Sequence, residues 1–222
     1  MKRTAISFFF LALILVIAGC EKDNYDEPTS FLKGNLVYNG NPIGVRSNAL
    51  QLELWQPGYD LYSKIPVYID QDGSYSARVF DGDYKLVRLS GGPYESNSDS
   101  IDVTVSGTTT LDVPVVPFFV ITGESFSYSG GVVSSSCNVS QVSTQSVNVD
   151  NVTLFLGTNK LLDHRYFEER HILGSPDISQ PVNHSITLPA DMADRDYVFV
   201  RIGVKTQGVN EYLYTQVQKL EL

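Results

Sequence analysis

From Phe31 to Leu222 the chain is a succession of short runs in which apolar and polar residues alternate. Leu50, Leu52 and Leu54 alternate with Gln51, Glu53 and Trp55, and Ile101, Val103 and Val105 alternate with Asp102 and Thr104. A strict period of two places successive side chains on opposite faces of a sheet, so these runs predict half-buried strands. Between the runs stand Asn39-Gly40, Asp72-Gly73, Asp81-Gly82 and Ser106-Gly107, pairs suited to tight reversals at positive φ. No long stretch carries the helical period. Short strands at regular spacing predict an all-β chain of two tandem β-sandwiches. Pro114 and Pro117 mark the division, because proline cannot donate to a ladder and stiffens a joint. The expected domains are 31–116 and 117–222. In the second, Val198, Val200, Ile202 and Val204 form the inward face of a long strand, and a turn at Gln207-Gly208-Val209-Asn210 returns the chain into its last segment.

The first thirty residues follow a different pattern. Lys2 and Arg3 form a positive head, and Ala5 to Gly19 is apolar apart from one serine. That run falls short of the ~20 residues needed to cross a bilayer core, and its charged head and small-residue exit predict a secretory signal over 1–19. Ile17-Ala18-Gly19-Cys20 resembles the bacterial lipobox, which implies lipidation at Cys20. Three acyl chains, at about 0.8 kcal/mol per buried methylene, would hold the protein at a membrane. Residues 20–30 are too charged to pack and predict a tether. Within it Lys22, Asp23, Asp26 and Glu27 resemble the acidic signal that exports some Gram-negative lipoproteins to the outer face of the outer membrane. The expected location is therefore an outer-membrane lipoprotein exposed at the cell surface, with a periplasm-facing lipoprotein as the alternative.

Composition narrows the function. Apolar residues make up 42% of the chain and aromatics 11%, enough to build cores and to argue against disorder. The formal charge is −9, and it becomes more negative by two when Lys2 and Arg3 leave with the signal. An acidic chain without a Lys/Arg cluster opposes nucleic-acid binding. With Cys20 lipidated, Cys137 is the one remaining thiol. No intrachain disulfide can form, and a small buried hydrophobe is expected at Cys137.

Several segments carry family resemblance. GNLVYNGNPI (34–43), DGSY (72–75) and FDGDYKL (80–86) resemble the carboxypeptidase-regulatory-like, or transthyretin-like, fold. With LWQPGY (54–59), GGPY (91–94) and PVVPFF (114–119), the set resembles an uncharacterised family of lipoproteins that accompany starch-utilisation-system-like outer-membrane uptake complexes. LPADMADRDYVFVRIGV (188–204) resembles the immunoglobulin-like and fibronectin-type-III approach to a tyrosine corner. That likeness implies a corner role for Tyr197, at a spacing longer than usual.

Candidate chemistry is sparse. DQDGSY (70–75) places Tyr68 and Val79 where an EF-hand loop needs oxygen ligands, so a hairpin turn accounts for its Asp and Gly. In DHRYFEERH (163–171), His164, Glu168 and His171 would share one face if helical, and imidazole and carboxylate suit zinc. The segment interrupts a β pattern, carries Arg165 and Arg170 and matches no zinc-protease spacing, so a solvated loop or short polar helix is the favoured reading. Gly123-Glu124-Ser125-Phe126-Ser127 lacks the second glycine of a nucleophile elbow, and Asp81 and Asp83 flank a turn. No enzyme and no cofactor are expected. Trp55, Tyr59 and Tyr62 surround Pro57-Gly58, and alternation puts Trp55 opposite the leucines, where an aromatic platform would stack on sugar rings; packing beneath the loop or at the interdomain contact accounts for the same residues. The reading is a non-enzymatic surface lipoprotein assisting glycan or nutrient capture, with oligosaccharide and an outer-membrane uptake complex as partners. The alternative is a structural spacer or adhesin.

Overall fold

A computed structural model of the chain describes residues 26–58 and 62–222. Cys20, Lys22, Asp23 and Tyr59 lie outside the described residues. Asp26 and Glu27 are exposed, and the Glu27 carboxylate meets Arg78 at 3.3 Å. The regular structure of the described chain is almost all strand, arranged as two sandwiches.

The first sandwich is organised around β1 (Ser30–Tyr38). Its first half pairs antiparallel with β5 (Ser74–Val79) and parallel with β8 (Thr108–Thr110). Its second half pairs with β2 (Asn41–Pro42) and with β9 (Val113–Pro114). The Asn39-Gly40 reversal joining β1 to β2 has φ of 50° and 78°, the doubly positive turn that Asn-Gly adopts at least steric cost. The facing sheet runs β4 (Lys64–Tyr68), β3 (Gln51–Trp55), β6 (Gly82–Arg88), β7 (Ser100–Val105), antiparallel throughout. Leu32, Leu36, Leu52, Leu54 and Leu86 are fully buried between the sheets, as the alternation predicts. Tyr84 donates its hydroxyl to the Phe80 carbonyl four residues upstream at 2.9 Å, the hydrogen bond of a tyrosine corner.

In the second sandwich one sheet is β10 (Phe119–Ser129), β11 (Val132–Gln141) and β14 (Val182–Thr187). The other is β13 (Glu169–Gly174), β12 (Val149–Gly157) and β15 (Tyr197–Thr206), whose far edge is shared by β16 (Tyr212–Tyr214) and β17 (Gln218–Glu221). A single helical turn, α1 (Ala190–Ala193), precedes β15. Val198, Val200, Ile202 and Val204 all point into the core. Tyr197 does not act as a corner residue. It is exposed, lies under the Lys219 ammonium at 4.0 Å, and its hydroxyl has no hydrogen-bond partner among the described residues. The corner bond belongs to Tyr84 in the other domain, where a buried ring needs a carbonyl for its hydroxyl.

The joint between the sandwiches is packed rather than merely stiff. Phe118 and Phe119 are buried, and one hydrophobic cluster runs from Leu32 and Leu52 through them to Val133 and Val204. Among the described residues no helix is long and apolar enough to cross a membrane.

Candidate functional site

Two aromatic regions stand out, one open and one sealed. The open one lies on the outer face of β3. Leu52 and Leu54 fill the core, so Gln51, Glu53 and Trp55 face outward. Cross-strand register sets Trp55 between Lys64 on β4 and Lys85 on β6. The Glu53 carboxylate, only 8% exposed, accepts from Lys64 Nζ at 2.6 Å and from the Trp55 indole Nε1 at 3.3 Å. That pair of bonds fixes the indole's orientation and places a carboxylate beneath it. Tyr62, 53% exposed, stands with its ring centroid 5.0 Å from that of Trp55 at a 36° tilt. Lys85 meets Asp102 at 2.6 Å, and this hydrogen bond holds its ammonium above the usual lysine range. The result is a ledge of two adjacent rings flanked by two lysine–carboxylate pairs. Such a ledge offers ring faces to apolar C–H groups and charged donors and acceptors to hydroxyls. A shallow hollow of about 260 Å³ lined by Pro57, Asp83, Lys85 and Asp102 adjoins it.

The sealed region lies on the outer face of β12 and β15, where Phe155, Tyr212 and Tyr214 pack as a second, smaller core. Its centre is Arg201, fully buried on the strand whose inward face is all valine and isoleucine. The guanidinium donates to four backbone carbonyls: Thr215 at 2.8 Å, Leu162 at 3.0 Å, and, across the domain boundary, Val45 at 3.0 Å and Gln71 at 2.7 Å. Its carbon also sits 4.2 Å over the Tyr214 ring. Burial lowers its pKa to about 10, so it stays charged at neutral pH without a direct carboxylate partner. Around it, Tyr214 N–H donates to Gly44 O at 3.0 Å, Arg46 and Glu211 pair at 2.6 Å, and Gln216 donates to Asp72 O at 3.2 Å. A Cβ at Gly44 would lie 2.5 Å from the Tyr214 carbonyl, so the close approach of the two domains requires glycine there. The DQDGSY hairpin is thus a turn whose carbonyls receive the second domain.

Residues 163–168 form a loop, and Glu169 onward is the edge strand β13 paired with β12, so the helical face that would align the three side chains does not form. His164, Glu168 and His171 go to three separate partners. His164 Nδ1 lies 2.9 Å from the Tyr214 hydroxyl, and its ring stacks on Tyr212 at 5.2 Å. Glu168 accepts from Thr158 N–H and Oγ1 at 3.1 and 2.7 Å. His171 meets the buried His184 from β14, their Nδ1 atoms 3.3 Å apart. Among the described residues no three His, Cys, Asp or Glu side chains gather as a metal ion would need. Asp81 accepts from Ser30 Oγ and Gly107 N–H, and the Ser30 hydroxyl holds its carboxyl below the usual range, opposite to what an acid catalyst needs. Cys137 is buried, and burial raises its thiol to about 11.

Sequence reading found the ledge's rings but not its carboxylate or lysines, and it missed Arg201 altogether. The one signal was a lone charge inside the apolar run YVFVRIGV.

The N-terminal domain model of a family of proteins of unknown function, DUF3823, matches residues 30–116, and the family's C-terminal domain of unknown function matches residues 119–219. The chain belongs to the DUF3823 family. A DUF3823 structure from Bacteroides ovatus ATCC 8483 is 38% identical, covers 87% of this chain and 99% of its own, and superposes with a TM-score of 0.82. A DUF3823 structure from Parabacteroides merdae ATCC 43184 is 29% identical, covers 88% and 100%, and has the same TM-score of 0.82. A "putative carbohydrate binding protein" from Bacteroides uniformis ATCC 8492 shares the fold at 19% identity and a TM-score of 0.72, covering 88% of this chain and all of its own. No curated protein matches the chain.

Proposed function

We propose that this DUF3823 protein is a non-enzymatic lipoprotein, anchored through Cys20 and displayed on the outer membrane, that assists glycan or nutrient capture. The observation that carries this reading is the ledge: Tyr62 is exposed and Trp55, whose ring it meets, is only partly buried, although a large apolar interior was available to cover them. Glu53 orients the indole without masking its outer face, as a contact surface for a sugar ring requires. The fold shared with the Bacteroides uniformis protein supports it further. The first sandwich is read as carboxypeptidase-regulatory-like and the second as immunoglobulin-like. Lys22, Asp23, Asp26 and Glu27 are the export signal, and an outer-membrane uptake complex is the partner.

Binding of oligosaccharides to the protein tests the ledge. A dissociation constant near 1 mM, about −4 kcal/mol, is expected, and Trp55→Ala should weaken it about tenfold. Unaltered binding by Trp55→Ala removes the ledge from the site. Anchoring is tested separately: Cys20→Ala should abolish incorporation of labelled palmitate, and persistent labelling refutes it. For display, external protease should degrade the wild-type protein on intact cells and spare a variant with Lys22, Asp23, Asp26 and Glu27 all changed to Ala. Equal protection of both rules the export signal out. A spacer is the second reading, favoured by the core that runs unbroken through both sandwiches and makes them one stiff unit.

A further inference from the structure

A cavity of about 480 Å³ opens between the domains, walled by the β1–β2 turn of the first sandwich and by β10 and the end of β16 from the second. We propose that this cavity is a second carbohydrate site, shaped for a neutral, hydroxyl-rich sugar unit; the proposal rests on the glycan-capture reading above. Its size falls in the range of small-ligand pockets, which favour domain interfaces.

Two irregularities converge on it. β10 loses register with β11 between Thr122 and Ser125, a bulge in which Gly123 has φ 61°. Bulges re-aim side chains, and this one sets Glu124 half-buried in the cavity wall. From the other domain, the doubly positive turn carries Asn39 to the same cavity. The Glu124 carboxylate has neither a hydrogen bond nor an ion pair among the described residues, and the Tyr38 hydroxyl, the Asn39 amide and the Thr122 hydroxyl likewise have no side-chain hydrogen bond. This is the reverse of the Arg201 seam, where the guanidinium donates to four carbonyls. Asn39 and Thr122 are exposed and Tyr38 and Glu124 partly buried, so the four side chains are held by water alone and are free to exchange it for the hydroxyls of a ligand.

The lining selects the ligand's chemistry. It contains no lysine or arginine, so an anion would face Glu124 without compensation. A purely apolar ligand would strip water from the carboxylate and return nothing. Tyr38, Ile121 and Leu213 offer apolar surface below the polar groups. A pyranose meets both demands, placing C–H groups on the apolar floor and vicinal hydroxyls on Glu124. The walls are already fixed by the Gly44–Tyr214 backbone bond, so binding need not order them.

The test is calorimetric titration of the full chain with maltohexaose, xylohexaose and cellohexaose, alongside Glu124→Ala, Glu124→Gln and Trp55→Ala, each checked by thermal unfolding. Glu124→Ala should weaken binding of at least one sugar about tenfold, Glu124→Gln less, and the melting temperature should not move. If Trp55→Ala weakens binding while Glu124→Ala does not, the cavity site is overturned and the ledge stands. If Glu124→Ala alone weakens it, the cavity is the site and the ledge is not. If the wild-type chain binds none of the three sugars, both the cavity and the capture reading fall.

Discussion

The Trp55 ledge and the Arg201 cluster are made of the same materials. Each gathers aromatic rings around a cation on the outer face of a sheet's central strand. They differ in what lies above. Over Trp55 lie Tyr62 and solvent, and of the lysines beside it Lys85 pairs with the exposed Asp102 and Lys64 with the nearly buried Glu53. Over Arg201 lies the first sandwich, and the guanidinium is satisfied entirely by carbonyls that cannot move away. Aromatic content therefore does not distinguish a binding face from an interface; the donors do. A cation held by backbone from two domains is structural, and one held by an exposed carboxylate can exchange partners with a ligand.

The sharpest way to break the contrast is Arg201→Met, which keeps volume and removes five donors. It leaves the carbonyls of Thr215, Leu162 and Val45 without their donor, while Gln71 O keeps the Val45 N–H; at about 1–3 kcal/mol each, offset in part by relaxation, a loss of about 4 kcal/mol is expected in urea unfolding. A loss under about 1 kcal/mol would mean that the seam contributes little. Acid should act next. Burial holds His164, at the edge of the sealed cluster, below its ordinary value of 6.5, and burial with the charge of His171 pushes His184 down to about 4. In both cases the unfolded chain takes the proton first. Stability is therefore full above pH 6.5 and falls as pH drops toward 4, with about 3 kcal/mol from His184. His184→Leu should flatten that slope; an unchanged slope would assign it to other groups. Tyr214→Phe removes the hydroxyl that accepts from His164 N–H at 3.1 Å and meets its ring nitrogen, and should cost about 1 kcal/mol. Trp55→Ala should change stability least, by under about 1 kcal/mol, since Trp55 lies outside the core and is only partly buried. A loss of about 3–5 kcal/mol would make Trp55 a core residue and erase the contrast.

Much of the fold was legible because alternation is a local property. Leu52 and Leu54 point inward and Trp55 outward for the same reason, and the valines of β15 follow the same rule. What escaped depends on a neighbour distant in sequence. β15 reads as a strand with one buried face, yet Arg201 and Gly203 on the other are buried as well, because Tyr212 and Tyr214 cover Gly203 and the first sandwich covers Arg201. Nothing within ten residues of Arg201 announces carbonyls at positions 45 and 71. DHRYFEERH was legible in part: residues 163–168 form the loop that the sequence favours, while 169–171 enter a strand. Its charges fit a helical face, but pairing with β12 outweighs local spacing and distributes its histidines to different partners. Tyr197 shows the limit of motif likeness: the approach to a corner is present while the hydroxyl's acceptor is not. The interdomain cavity was invisible for the same reason as Arg201, since each domain supplies only one wall.

The seam also imposes an order on biogenesis. The carbonyls of Val45 and Gln71 precede Arg201 by 156 and 130 residues. The ribosome therefore completes the receiving hairpin long before the donor exists. A first sandwich waiting alone exposes only carbonyls that water can serve, whereas a second sandwich alone would hold a guanidinium with two of its acceptors missing. Synthesis from the N-terminus avoids that second state. A circular permutant that makes the second sandwich first should fold more slowly and aggregate more than the natural order, although its final contacts would be the same.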